Sequence, residues 1–395
     1  MENQVFNAID TVFVEASVSD DNKISSIKIY LIDNLFEPTG QSESITANNT
    51  EEQTVKHYFS INDIHLFSGI YYLEVEASDG INTSREYVKI LIDEIPIELR
   101  KIIIVCSGSQ VTDIYASDTS LLFSKMKTLQ QELSGFAISS YNREIAVLTN
   151  IGSLQVFYPS DFSMLWTVSY PHLSGYPFSG KVYAIDNYIY AGFTKGNIYG
   201  YDANGVVRKN YKINSHSHTP GVFYKHTDYM FIADVPAQPI QAKIEKLNFA
   251  SGGFIDDYET NIDIVEFTYY DDNYIMIWGN ENNTAKVCTL HVVNNVMYSI
   301  DVFPDEQLVD TEQIDDNSWI FITEDNIYNF YKNSGTVSLY LSLPGCSVVK
   351  YEELTEKLYI ASNTSLFIYD YKTKTLLNTK VFPDNIIDCG FLYNK

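Results

Sequence analysis

Basic charge is what this 395-residue chain has least of: 26 Lys and Arg stand against 51 Asp and Glu, a formal net charge of −25. Its arginines are four, Arg85, Arg100, Arg143 and Arg208. Phosphate backbones are held by clusters of Lys and Arg, so the composition argues against a nucleic-acid partner. No basic stretch is dense enough to hold an anionic membrane surface either, and the acidity reads as a means of staying soluble. Four cysteines (Cys106, Cys288, Cys346, Cys389) are too few and too scattered for a disulfide framework, and no CxxC spacing offers a metal site. Each sits among apolar or small residues, where a thiol behaves as a small hydrophobe. Runs of ~18 apolar residues are missing, so the sequence contains no membrane-spanning helix. The opening Met1-Glu2-Asn3-Gln4 has neither the basic nor the apolar region of an export signal. That leaves a cytoplasmic protein, or an exported one whose signal lies outside this chain.

What the chain does have is aromatic residues, 31 Tyr and 22 Phe against 3 Trp, a balance suited to strands. Residues 1–97 alternate with the period of two that marks half-buried strands. Val12, Val14, Ala16 and Val18 form one such series and Ile27, Ile29 and Leu31 another, with the turn Ser19-Asp20-Asp21-Asn22-Lys23 between them. In the segment Gly69–Gly80, Tyr71, Leu73, Val75 and Ala77 share one face, and Asp79-Gly80 turns the chain into a last strand, Arg85 to Leu91. Asp20, Asp21 and Asp79 lack the oxygen-rich spacing of a calcium loop and read as turn residues.

The remainder, residues 98–395, repeats a cadence of one hairpin followed by two shorter strands. Val348 to Tyr351, Lys357 to Ala361, Leu366 to Asp370 and Leu376 onward show it most clearly. Units start near 133, 178, 219, 263, 308 and 346, ~43 residues apart, which is the spacing of propeller blades. Lys101 to Leu129 supplies three more strands, and the segment 386–393 is a strand without a partner nearby in sequence. Three strands plus one complete a seventh blade and leave no sheet edge open. The expected fold is therefore all-β: a sandwich over 1–97, then a seven-bladed β-propeller over 98–395 closed by the C-terminal strand.

The pattern G-x-Y-x-L-x-V-x-A-x-D-G over Gly69–Gly80 resembles the penultimate strand of bacterial immunoglobulin-like domains. The resemblance implies that Tyr71 is a tyrosine-corner residue, its hydroxyl bonded to the backbone of the preceding turn. The repeats resemble YVTN- or quinoprotein-like propellers, without the Gly-His and Trp-Asp pairs of WD40 blades or the Kelch double glycine. Regularly repeated tryptophans are missing too, so no quinone or other cofactor is expected. The pairing of the two domains is similar to lipid-anchored surface proteins of Bacteroidetes. By that resemblance the protein belongs outside the cell or on its surface, with any lipid anchor lying outside this chain.

Ligands of propellers commonly meet the loops between blades and those joining each blade's second and third strands. On that face the long aromatic loop from Tyr170 to Phe178 carries His172 and Tyr176, and the loop beside it carries His216 and His218. Lys195 and Asp234 fall in neighbouring loops. These six are the expected ligand-binding residues, for a carbohydrate whose apolar ring faces pack on Tyr, or for a protein. Three histidines could together bind zinc or copper, but without a carboxylate or Cys partner no metal is expected. The acidic turns Asp186-Asn187, Asp271-Asp272-Asn273 and Asp315-Asp316-Asn317 recur on the opposite face and read as turn chemistry. No GxSxG elbow is present. Asp234, Glu281, Glu324 and Asp384 are the carboxylates open to a glycosidase reading. The leading expectation is a non-catalytic binding or scaffold protein, with a secreted carbohydrate-active hydrolase or lyase as the alternative.

Overall fold

The computed structural model describes residues 4–150, 152–169, 178–193, 196–214, 218–236, 242–300 and 305–395. Two compact units divide the chain, Met1–Ile97 with Lys395, and Glu98–Asn394.

The first unit is built from β1 (Val5–Asn7), β2 (Thr11–Ser19), β3 (Ser26–Ile32), β4 (Pro38–Ile45), β5 (Glu52–Ser60), β6 (Gly69–Ser78) and β7 (Thr83–Asp93). One sheet has the order β1-β7-β6-β3-β4, and β2 pairs with β5 in the other. Alternation sorts the side chains: Val12, Val14, Ile27, Ile29, Leu31, Phe59, Leu73 and Ile90 all meet in the core. Each such side chain withdrawn from water contributes roughly 1.5–3 kcal/mol before the entropy of ordering is counted. The Tyr71 hydroxyl donates to the carbonyl of Phe67 at 3.1 Å, tying β6 to the turn before it. Asp79 accepts from the backbone N–H groups of Ile81 and Asn82, which makes it the cap of the β6–β7 turn.

Among the described residues of the second unit the strands group into seven four-stranded antiparallel sheets. Six are contiguous in sequence, and their innermost strands are Leu133–Ser139, Phe178–Ile185, His218–His226, Asp263–Asp271, Leu308–Asp315 and Cys346–Glu352. The seventh joins the two ends of the unit: Asn385–Tyr393 pairs with Leu99–Ser107, beside Thr112–Ser117 and Ser124–Leu129. Each innermost strand touches the next, and Asn385–Tyr393 touches both Cys346–Glu352 and Leu133–Ser139, so the series closes on itself. Gly390 permits that closure, because a Cβ there would stand 2.7 Å from Ile138 Cδ1.

The strands next to the innermost ones are sandwiched between neighbouring sheets, and Glu144–Thr149 and Ser318–Thr323 are buried along their whole length. Aromatic side chains fill the space between the sheets that begin at Asp263 and Leu308. Trp278 and Trp319 are both fully buried there, and their indole N–H groups both donate to Thr268 Oγ1 at 3.0 Å. All four cysteines are buried free thiols. Burial pushes Cys106 and Cys346 up to about 12, which keeps both protonated and unreactive.

Candidate functional site

Two concave regions concern function, and the β-bulges of the innermost strands build the first. Register slips between Leu133 and Gly135, Ile264 and Glu266, Leu308 and Asp310, Cys346 and Val348, and Ile386 and Asp388 place one extra residue at the same point of five strands. A bulge bends its strand and re-aims a side chain. Here Glu266, Asp310 and Asp388 each fold back to accept the N–H of the following residue, at 3.1, 2.9 and 2.8 Å. Asp310 also accepts the N–H of Val349 from the next sheet, at 2.9 Å.

These carboxylates line a cavity of about 740 Å³ enclosed by the ring of innermost strands, together with Glu312, Lys350, Lys181 and Tyr183. Lys350 Nζ lies 3.2 Å from Glu312 Oε2. Burial would drive the Lys350 ammonium down, but Glu312, Asp310, Asp388 and Glu266 around it hold it well above the ordinary lysine value. Burial raises the carboxyls: Glu266 is pushed up to about 7 and Asp388 up to about 6, with Lys350 opposing both shifts. The cavity thus holds several acids on a lattice of backbone donors around a charged lysine. Its size is that of a small-molecule site.

The second region lies on the loop face. Asn283, Asp305, Glu306, Gln307, Glu324, Asp325 and Asn326 surround a cavity of about 540 Å³ between two adjacent sheets. Burial raises Glu306, but donors from Thr323, Tyr328 and Asn326 outweigh it and keep the carboxyl below its usual range. Loops joining the second and third strands of two sheets, around 280–284 and 324–326, meet residues 305–307 here.

His172, Tyr176, Lys195 and His216 lie outside the described residues. His218 opens the strand His218–His226 and pairs with Pro236, so it belongs to a strand rather than to the expected loop. Asp234 is likewise corrected. Its strand runs Tyr229–Pro236, because residues 234–236 pair with 218–220. Its side chain is 1% exposed, and burial together with the nearby Glu245 pushes its carboxyl up to about 8. It is a buried strand residue and does not lie in a loop. Asp234, Glu281, Glu324 and Asp384 do not line the central cavity; Glu266, Asp310, Glu312, Glu353 and Asp388 do. Their signal in the sequence was a charge inside an otherwise apolar first strand of a repeat, as in Val265-Glu266-Phe267 and Val349-Lys350-Tyr351. Among the described residues no group of three or more His, Cys, Asp or Glu could hold a metal ion.

No protein-family model matches the sequence, and no curated protein matches it. Solved structures match by shape. The WD40 β-propeller domain of Doa1 superposes with a TM-score of 0.53, at 11% identity, over 67% of this chain and 94% of that one. The computationally designed Ika8 protein gives 0.50, at 11% identity, over 73% of this chain and 89% of that one. The WD40 domain of Pan2 from Neurospora crassa gives 0.47, at 11% identity, over 61% and 76%. Likeness at such identity concerns the fold alone: the repeated four-stranded sheets form a β-propeller of WD40-like fold. They do so without the Gly-His and Trp-Asp pairs of WD40 blades.

Proposed function

We propose that this is a non-catalytic binding or scaffold protein of the bacterial cell surface, in which an immunoglobulin-like sandwich precedes a seven-bladed propeller. The ligand, a carbohydrate or a protein, is taken by the loop face of the propeller. The observation that carries this reading is the convergence of loops from two adjacent sheets on one polar cavity, with carboxylate and amide groups turned to it. Such a lining suits a partner rich in hydroxyl or amide hydrogen-bond donors. The central carboxylates support the non-catalytic side, since Glu266, Asp310 and Asp388 are each engaged by backbone N–H groups.

One observation favours the alternative of a carbohydrate-active enzyme. Glu266 at about 7 holds a proton near neutrality in the same cavity as ionised partners, as a general acid must. A screen against soluble polysaccharides separates the two. The full chain is compared with Glu324→Ala/Asn326→Ala and with Tyr176→Ala/His216→Ala/His218→Ala. Retention of the wild type, lost in a loop variant and with no product released, is the expected result. Release of shorter sugars, abolished in Glu266→Gln, would install the enzyme reading instead. No retention on any polysaccharide would leave a protein as the loop-face partner.

A further inference from the structure

A strained aromatic residue on the surface of the first unit has no part in the propeller reading. Between β3 and β4 the chain reverses in a tight turn organised by Asp33. Its side chain accepts the N–H groups of Leu35 and Glu37 at 2.8 and 2.9 Å, and its carbonyl accepts that of Phe36 at 3.1 Å. The turn forces Phe36 to a φ of +64°, a left-handed conformation that Gly, Asn or Asp tolerates and a bulky residue does not. Burial does not repay the strain, because Phe36 remains 56% exposed.

What the turn achieves is placement. The Phe36 ring lies on the outer face of the five-stranded sheet, stacked on Tyr72 with centroids 4.9 Å apart and planes 18° apart. Its edge meets Tyr87 at 5.6 Å, and Tyr87 is itself 43% exposed. Register explains the grouping: Tyr72 lies opposite Lys89, and Tyr87 opposite Glu74, so both tyrosines stand on the face away from the core. Strain held at an exposed, pre-positioned side chain points to function, since packing alone would have selected a residue at ease in the turn.

The charge around the rings narrows the occupant. Glu74 and Glu76 are both bound by Arg85, at 2.9 and 2.7 Å, and Lys89 adds a cation. In a chain of net charge −25, the sheet beside the rings carries no excess of negative charge. Asp33 and Glu37 flank Phe36 in the turn, so an anionic ligand is disfavoured, whereas an uncharged one meets the exposed face of the Phe36 ring beside the Tyr72 and Tyr87 hydroxyls. We propose that Phe36, Tyr72 and Tyr87 form a platform that binds an uncharged polysaccharide by stacking against the apolar face of its sugar rings. The site is separate from the propeller's loop face and does not depend on what binds there.

The test is native affinity electrophoresis of the full chain through gels containing soluble hydroxyethylcellulose, galactomannan, arabinoxylan or amylopectin. The variants are Phe36→Asn, which suits the left-handed turn while removing the ring, and Tyr87→Ala. Wild type is expected to be retarded by at least one polysaccharide, and each variant to bind it about tenfold more weakly, the usual scale for losing one stacked ring. The melting temperature of Phe36→Asn is expected to stay the same or rise, which separates lost binding from lost folding. Two results would overturn the platform: no retardation of the wild type in any gel, or equal retardation of Phe36→Asn. Loss confined to the propeller loop variants would do the same while leaving the loop-face reading intact.

Discussion

The two units of this chain put the same residue types to opposite uses. In the second unit the large aromatics are enclosed between sheets: Trp278, Trp319, Phe321 and Phe330 are all buried, and Thr268 satisfies both indoles. In the first, Phe36, Tyr72 and Tyr87 stand together on an outer sheet face. Carboxylates divide by burial, since turn residues of the second unit such as Asp202 and Asp370 are lowered as well. Asp234 and Glu266 are held inside the ring of sheets and raised, while Asp79 sits on a turn and is lowered by the N–H groups it accepts. The difference follows from architecture. A sandwich of seven strands has a core one side chain deep on each sheet and two faces left to water. A closed ring of sheets buries both faces of nearly every sheet, so its polar groups must be satisfied internally.

The largest effect should come from breaking the closure, which only the second unit has. Deleting residues 386–395 removes the strand that pairs with Leu99–Ser107 and that bridges the sheets beginning at Cys346 and Leu133. Leu99–Ser107 is then left as an open sheet edge, and the flanking sheets lose the strand packed between them. Loss of the propeller's cooperative melting transition is expected by calorimetry. Survival of that transition at the wild-type temperature would mean the ring does not depend on its last strand.

How much of this was legible in the sequence follows from which contacts are local. The sheet starts near 133, 178, 219, 263, 308 and 346 could be read because each hairpin repeats the same alternation, and the strands begin at Leu133, Phe178, His218, Asp263, Leu308 and Cys346. The three strands over 99–129 and the one over 385–393 were legible as incomplete parts of one sheet. The central cavity was not. Its carboxylates meet only because bulges recur at one level of five strands, and a bulge is a register slip between strands that alternation alone does not encode. Asp234 misled because Val235-Pro236 resembles the start of a loop, while pairing with residues 218–220 carries the strand through it. Phe36 gave no signal at all, since a Phe at positive φ is the residue least expected in a turn.

The contrast between enclosed and presented aromatics gives the next effect in size. Trp319→Ala deletes a fully buried indole and leaves Thr268 one donor short. Truncations of this kind cost about 3–5 kcal/mol, and such a loss should appear as a lower denaturant midpoint with little change in slope. A cost below about 1 kcal/mol would show that the sheets can close over the gap, and would weaken the distinction between the two units.

The smallest effects, and the sharpest in sign, come from one substitution made in both units. Asp234 holds its proton up to about pH 8 when folded but releases it near its ordinary 3.8 when unfolded. The folded state therefore binds more protons between these values, and the stability that Asp234 contributes falls as pH rises through that window. Asp234→Asn keeps the shape and removes the titration, so the variant should melt at a higher temperature than wild type at pH 9 and close to it at pH 3. Asp79 runs the other way. Its folded value lies below the ordinary one because Asn82, Ile81 and Asn22 donate to the carboxylate, so its contribution is present at neutral pH and lost as pH falls. Asp79→Asn should lower the melting temperature of the first unit at pH 7, and the difference should shrink as pH falls towards 3. Melting curves of both variants from pH 3 to 9 decide the matter. If both differences had the same sign at neutral and alkaline pH, burial would not be what separates Asp234 from Asp79.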